Sequence, residues 1–157
     1  MLDLVRLLRP DVLAITKVGS GEEGGRFIVK LDRKDRPVPL ASLGEGVGRV
    51  YFLGLAVVNC AGGALLIDEF ENGLHYEVQP KVWNAVFHLA RDLQVQVFAT
   101  THSWDCIRAF ADAMRAHPGL GQLTRLERSR DDPEMVQARV YRERDTIIAA
   151  ERGIEVR

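Results

Sequence analysis

The chain has 157 residues, enough for one domain with a sizeable hydrophobic core. Its 46% hydrophobic and 27% charged content is ordinary for a soluble globular protein, and a net charge of −1 gives no overall attraction to nucleic acid or to an anionic membrane. No apolar run approaches the roughly 18 residues of a spanning helix, and the charged start MLDLVRLLRPD is unlike a secretory signal. We therefore expect a cytoplasmic protein without a membrane partner. Cys60 and Cys106 form no CxxC pair, and we expect two reduced, buried thiols.

The first 39 residues predict a short helix followed by an antiparallel ribbon. Apolar residues recur at helical spacing over residues 2–8, and Pro10 ends that pattern. Residues 11–18 and 26–32 alternate between apolar and polar side chains, as strands do. The glycine-rich segment 19–25 between them predicts a flexible turn.

Residues 40–110 predict the core of an α/β fold. A glycine-rich entry leads into a helix that begins near Val47 and contains the apolar run 50–60. The elements after it are a fully buried strand over Ala64–Ile67, a helix over 79–93, a second buried strand beginning at Val95 and a helix over Trp104–Ala116. This alternation of apolar strands and helices predicts a parallel sheet with helices on both faces. Ligands of such sheets bind beyond the carboxyl ends of the strands.

Residues 111–157 predict the rest of the last helix, a hairpin and a short final helix. The hairpin strands are Leu123–Arg128 and 135–141 around the turn DDPE, and the final helix covers 145–152. We treat residues 1–157 as one domain. Its last third holds six arginines that could face DNA, but interleaved acidic residues favour a solvated surface of mixed charge. The arginines are Arg125, Arg128, Arg130, Arg139, Arg142 and Arg144, and the acidic residues are Asp131, Asp132, Glu134, Glu143 and Asp145.

Polar residues follow both apolar strands of the predicted parallel sheet. Asp68 and Glu69 end the first strand, and Thr101 and His102 end the second. An aspartate at a strand tip can hold Mg²⁺ through water, and an adjacent glutamate can activate an attacking water. An isolated Asp-Glu pair is otherwise typical of a helix start. His102 could bond a terminal phosphate, or it could be an ordinary buried histidine.

The segment SLGEG, from Ser42 to Gly46, precedes the first long helix. Main-chain N–H groups at a helix amino terminus bind phosphate well, and glycines allow a phosphate to come close. Ser42, Gly44, Glu45 and Gly46 are therefore candidate nucleotide-binding residues, although the segment alone indicates little more than a glycine turn.

In the order SLGEG, ALLIDEFENGLH and FATTHS, the chain resembles ABC-type P-loop ATPases, and more narrowly the bacterial ATP-binding proteins of the AAA and overcoming-lysogenization-defect group. The motifs match the signature, Walker B, D-loop and switch-histidine elements, and the resemblance covers residues 40–110. It implies a partial parallel sheet of the P-loop NTPase fold, flanked by helices. It further implies that Asp68 lies in the Mg²⁺ shell, Glu69 is the catalytic base and His102 senses the γ-phosphate.

The resemblance also implies a dimer. Ser42 and Gly44 would contact the γ-phosphate of ATP held by a second protomer, and the segment Asn72, Gly73, Leu74 and His75 would form the D-loop at that interface. His75 stands where most ABC proteins have an aspartate.

One motif of the family is missing from the sequence. Family members carry a Walker A loop, GxxxxGK[ST], whose amides and lysine surround the phosphates. The segment 19–26 has the glycine spacing but offers Gly25 and Arg26 instead of lysine and serine or threonine, and its glutamates repel phosphate. We therefore expect the C-terminal half of an ABC-type ATPase, with weak or no binding of ATP and Mg²⁺ and no activity by itself. Exposed sheet faces would then be covered by a homodimer or by a Walker A-bearing partner.

Two other functions stay open. The chain could be a non-catalytic dimerisation or interaction module that pairs with a Walker A-bearing chain. It could also be a metal-dependent nuclease built on Asp68, Glu69 and Glu71, although no further acidic cluster of that kind follows in the sequence.

Overall fold

The computed structural model describes residues 2–19, 25–129, 132 and 134–154. Within these residues the fold is mixed α/β, with a three-stranded antiparallel sheet, a two-stranded parallel sheet and a two-stranded hairpin. The elements in chain order are α1 (Leu2–Arg6), β1 (Val12–Val18), β2 (Arg26–Leu31), β3 (Val38–Pro39), a 3₁₀ helix (Leu40–Leu43), α2 (Glu45–Asn59), β4 (Ala64–Ile67), α3 (Gln79–Asp92), β5 (Gln96–Ala99), α4 (Trp104–Ala116), β6 (Leu123–Arg128), β7 (Val136–Tyr141) and α5 (Glu143–Arg152). No helix among them is long and apolar enough to cross a membrane.

The predicted amino-terminal ribbon is present. β1 and β2 pair antiparallel from Val12 opposite Leu31 to Val18 opposite Arg26. A third strand, β3, adds Val38 opposite Val29. The sequence did not predict it, because the strand has only two residues, one of them Pro39, and follows Pro37. Of the glycine-rich turn and Walker A lookalike, residues 20–24 lie outside the described residues.

Helix α2 connects the two main clusters of buried side chains. Val47 and Tyr51 pack with the ribbon, whereas Val50 and Leu53 pack with α3 and α4. Because apolar residues occupy more than one side of the helix, α2 is enclosed along much of its length. The segment SLGEG is thereby fixed at the amino-terminal end of a buried helix.

Strands β4 and β5 form the predicted parallel pair, in register from Ala64 opposite Gln96 to Ile67 opposite Ala99. The prediction that both strands are fully buried under helices on both faces is wrong. Ile67 and Val97 pack against the cluster that includes α3 and α4, but Leu66 is 78% exposed and Phe98 is 53% exposed. Successive side chains of a strand point to opposite faces, so within the described residues helices cover one face only.

Helices α3 and α4 form the largest cluster with the segment after β4. The inner face of α3 is buried at Trp83, Val86 and Phe87. Helix α5 packs on α4 through Ala149 and Ile107, and Gly153 ends it with a left-handed φ of 64°. Cys106 is a buried free thiol, as predicted, but Cys60 is half-exposed because it caps the carboxyl end of α2.

A groove of about 930 Å³ opens beside β5. α3 and α4 contribute Trp83, Phe87 and Phe110 to its lining, β5 contributes Phe98, and β6 contributes Leu123. In the described part of the chain β5 pairs with β4 alone and β6 with β7 alone, so each has an unpaired edge. The groove is therefore an apolar space between elements that expose strand edges.

Candidate functional site

The polar ends of β4 and β5 lie side by side, as predicted from the strand pattern. The register places Thr100 next to Asp68, one step beyond the last pair of the ladder. The Thr100 hydroxyl donates a hydrogen bond to Asp68 Oδ1 and accepts one from the N–H of Glu69 at 2.9 Å. The main chain continues the contact, since the N–H of Phe70 donates to the carbonyl of Thr100 at 3.0 Å. Thr100 therefore joins the two strand ends.

Glu69 has a left-handed backbone, with φ of 47°. For a residue other than glycine this conformation costs of order 1–3 kcal/mol and persists only where the surroundings hold it. Its N–H is bound by Thr100, and its carbonyl accepts a hydrogen bond from Arg49 Nη2 at 3.2 Å. Arg49 lies on α2, so the helix that follows SLGEG contacts the main chain of the acidic pair.

Phe70 anchors the segment that carries the two acids. Its side chain is 1% exposed and stacks on Trp83 with ring centroids 3.6 Å apart and planes 10° apart. Asp68 and Glu69, in contrast, are exposed. A buried aromatic ring thus fixes the backbone while the two carboxylates face solvent.

His102 follows β5 on a segment that is bonded to the loop after β4. Its N–H donates to Glu71 Oε1 at 3.0 Å. Burial raises the pKa of Glu71, but the neighbouring Thr101 hydroxyl and main-chain N–H groups, that of His102 among them, outweigh burial and place this pKa below its usual range. Ser103 then caps α4 by accepting the N–H of Cys106 at 3.3 Å. His102 itself is exposed, which does not match an ordinary buried histidine.

The functional groups of these residues remain available. Among the described residues, the Glu69 carboxylate, the His102 imidazole and Asp68 Oδ2 have no hydrogen-bond partner. The structure therefore holds the main chain on both strand ends and leaves two acids and an imidazole free for a ligand.

SLGEG forms a tight entry to α2. Ser42 lies in the 3₁₀ helix, and its hydroxyl donates to the carbonyl of Pro39 at 2.7 Å. Gly44 precedes α2 with φ of 98° and ψ of 156°, a conformation that glycine alone adopts readily. Helix α2 begins at Glu45 rather than near Val47 as predicted, and no side chain of the described residues caps it. The N–H groups of its first turn are left for another acceptor.

The predicted D-loop packs directly against this entry. A Cβ atom added at Gly46 would lie 3.0 Å from the carbonyl oxygen of Gly73. Gly73 has φ of 71°, and a Cβ there would lie 3.3 Å from Glu45 Oε1. Asn72 and His75 are exposed on the same loop, where the His75 ring lies 4.5 Å from that of Tyr76. The signature-like and D-loop-like residues therefore form one continuous surface.

Sequence reasoning missed Thr100 and Arg49 and gave Glu71 another role. Thr100 could have been found by extending the parallel register one residue past Ile67 and Ala99. No local pattern pointed to Arg49, which acts across 20 residues of sequence.

A single carboxylate at a strand tip fits Mg²⁺ that keeps most of its water ligands. Asp68 offers Oδ2 for this, because Oδ1 is engaged by Thr100. In the described part of the chain there is no group of three or more His, Cys, Asp or Glu side chains that could hold a metal ion. Asp68, Glu69 and Glu71 consequently do not form the metal cluster of the nuclease hypothesis. Of the acidic residues interleaved with the arginines of the last third, Asp131 lies outside the described residues.

Two arginines of the last third make local contacts. Arg125 lies 3.6 Å from Glu127, and the Arg139 guanidinium lies 5.4 Å from the ring centre of Tyr141. The solvated mixed surface stays a prediction, and Arg130 lies outside the described residues.

Comparisons with known proteins place the chain in a family. A family model described as "AAA domain, putative AbiEii toxin, Type IV TA system" matches residues 26–107, just over half of the chain. No curated protein matches it. A solved chain from work on ATP-driven dimerization and DNA-stimulated activation of SMC ATPases has a TM-score of 0.62 and 10% identity, over 99% of this chain and 89% of that chain. At such identity the likeness shows only that the two chains share a fold. This protein therefore belongs to the AAA-domain family of that description.

Proposed function

We propose that the chain is the hydrolytic part of an ATPase. The observation that carries this proposal is the junction of β4 and β5, where Thr100 bonds to both members of the acidic pair while the Glu69 carboxylate stays free. Membership of an AAA-domain family supports ATP as the substrate. The order of the motifs supports assigning Asp68 and Glu69 to a Walker B element.

Each residue has a task that suits its surroundings. Phosphoryl transfer to water needs a positioned water and neutralisation of charge, and Mg²⁺ supplies part of that neutralisation when bound. Asp68 would hold the ion through Oδ2. Glu69 would accept the proton of the attacking water. Its left-handed backbone is held by hydrogen bonds, which fixes the position of the Cα atom from which the side chain extends. His102 would donate a hydrogen bond to the γ-phosphate from a segment fixed to the same junction.

The surface formed by SLGEG and the D-loop would act on a second nucleotide site. Ser42 and Gly44 would contact the γ-phosphate of ATP on another protomer, and Glu45 and Gly46 would belong to the same nucleotide-binding segment, because α2 has uncapped N–H groups at this end. Asn72, Gly73 and His75 would lie at the same interface. The close contact of Gly73 with Glu45 and Gly46 supports joint action of the two segments.

The proposed site is incomplete without a Walker A loop, which none of the 157 residues supplies. We infer that a Walker A-bearing segment completes it, and that this segment or a homodimer partner covers the open sheet. The groove beside β5 supports this, since burying one exposed side chain such as Phe98 or Leu66 would contribute roughly 1.5–3 kcal/mol. Sedimentation of wild type should show self-association that is reduced in Phe98→Ser, whereas a monomer at high concentration would oppose this inference.

The groove also supports the second candidate, a non-catalytic interaction module. Both candidates need a partner, but they differ in whether Glu69 matters. The test is to join a Walker A-bearing segment of a family member to the amino terminus and to measure ATP hydrolysis. The ATPase proposal expects turnover that Glu69→Gln abolishes and that the matched Glu77→Gln, an exposed glutamate farther along the same loop, preserves. Equal activity in the Glu69 variant would contradict the role given to Glu69. No turnover in a fusion that binds ATP would favour the interaction module.

A further inference from the structure

Glu71 makes a contact that the proposed chemistry does not use. It lies in the loop after β4, and its carboxylate reaches the segment after β5. Oε1 accepts the N–H of His102 at 3.0 Å, between residues 31 positions apart in sequence. The other oxygen, Oε2, is buried. A glutamate on the loop of the acidic pair thus holds the main chain of the histidine on the neighbouring loop.

This hydrogen bond is of the strong kind. One partner is ionised, and bonds of a carboxylate to a main-chain N–H are roughly twice as strong as neutral ones. Partial removal from water strengthens the bond further, because the local dielectric constant is low. The lowered pKa of Glu71 agrees with a carboxylate that is held in its charged form.

The hydrogen bond from His102 to Glu71 lies beyond the end of the strand pairing. The backbone pairing between the strand ends stops at Thr100, which bonds to Ile67 and Phe70. His102 lies two residues farther on, where Glu71 binds its N–H. Because the neighbouring residue Phe70 is buried, the main chain of Glu71 is held in place.

We propose that Glu71 is a positioning residue that fixes His102 relative to Glu69. The role assigned to His102 rests on the proposed function, but the contact does not. A purely structural alternative exists, because a carboxylate near the amino terminus of α4 would also stabilise that helix. The positioning role and the structural alternative differ in how the His102 main chain responds to a substitution that removes the charge of Glu71 and keeps the shape of its side chain.

The direct test is amide hydrogen exchange of the ¹⁵N-labelled chain by NMR. Glu71→Ala should accelerate exchange of the His102 amide about tenfold or more, and Glu71→Gln, which keeps an acceptor without charge, should give an intermediate rate and an upfield amide proton shift. Glu143→Gln is the matched control, since Glu143 also accepts a main-chain N–H, that of Gly119 at 2.7 Å. It should perturb Gly119 and leave His102 unchanged. A His102 amide that is equally protected and unshifted in Glu71→Gln would overturn the proposal.

A second measurement separates this proposal from the proposed function. In the fusion with a Walker A segment, Glu71→Gln should lower kcat severalfold with little change in KM for ATP, because it displaces a group that acts on the γ-phosphate. Unchanged kcat in both Glu71 variants would overturn the positioning role. If the fusion with native Glu71 is inactive, the proposed function fails, and the amide measurement still decides whether Glu71 holds His102.

Discussion

Replacing Phe70 by alanine should strongly destabilise the protein, because this side chain fixes the acidic segment to the core. It is 1% exposed and stacks on Trp83. Truncation of a buried phenylalanine to alanine costs about 3–5 kcal/mol, a large part of the roughly 5–15 kcal/mol that stabilises a typical domain. For a chain of this size the loss corresponds to a fall in Tm of about 6–20 °C.

Phe52→Ala provides the comparison, because Phe52 is 50% exposed and packs edge-on against Phe27 and Tyr51. Its removal should cost about 1–2 kcal/mol. Urea denaturation with a common m-value would give both free energies of unfolding, and a thermal scan would give both Tm values. A cost for Phe70→Ala no larger than that for Phe52→Ala would refute the conclusion that the acidic segment is anchored in the core.

Three further predictions concern the site. Thr100→Val should lower the free energy of unfolding by about 1 kcal/mol and shift the NMR signal of the Glu69 amide, because the Glu69 N–H loses its acceptor. An unshifted amide would contradict the junction described for the strand ends. Gly44→Ala should lower the free energy of unfolding, measured by urea denaturation, by about 1–3 kcal/mol, because Gly44 has a φ of 98°. Gly48→Ala should be neutral or stabilising, because Gly48 lies inside α2 and its added Cβ would have no described atom within 4 Å. Equal effects of the two substitutions would contradict this account. The pKa of Glu71 is lowered by folding, so its carboxylate stabilises the protein fully above the unfolded value of about 4.3, and this contribution is lost as pH falls through the folded pKa. The stability difference between wild type and Glu71→Gln should therefore shrink between about pH 6 and pH 3, and a constant difference would refute this origin.

Much of the fold could be predicted from local patterns. The strand Ala64–Ile67 and the helix Trp104–Ala116 have the bounds that the sequence predicted, since caps and glycines mark their ends. The adjacency of Asp68 to the end of β5 followed from the carboxyl ends of parallel strands meeting at one edge.

The parts that failed depend on tertiary context. A short apolar sequence such as ALLI occurs both in strands with helices on one face and in strands with helices on two faces. The exposure of Leu66 could therefore not be predicted from that sequence alone. The missing Walker A motif did suggest exposed faces on the sheet, and Leu66 and Phe98 are exposed. Contacts across distant segments, such as Arg49 with Glu69, have no local signature.

The central claim is that the chain holds the hydrolytic residues of an ATPase and lacks the means to bind ATP by itself. Titration calorimetry of Mg²⁺-ATP into the purified chain, with Asp68→Ala beside it, tests this most directly. The account predicts no detectable binding to either protein, and binding that appears once a Walker A-bearing segment is joined to the chain. Micromolar binding to the unmodified chain that is lost in Asp68→Ala would contradict it, because the chain would then form a phosphate site of its own.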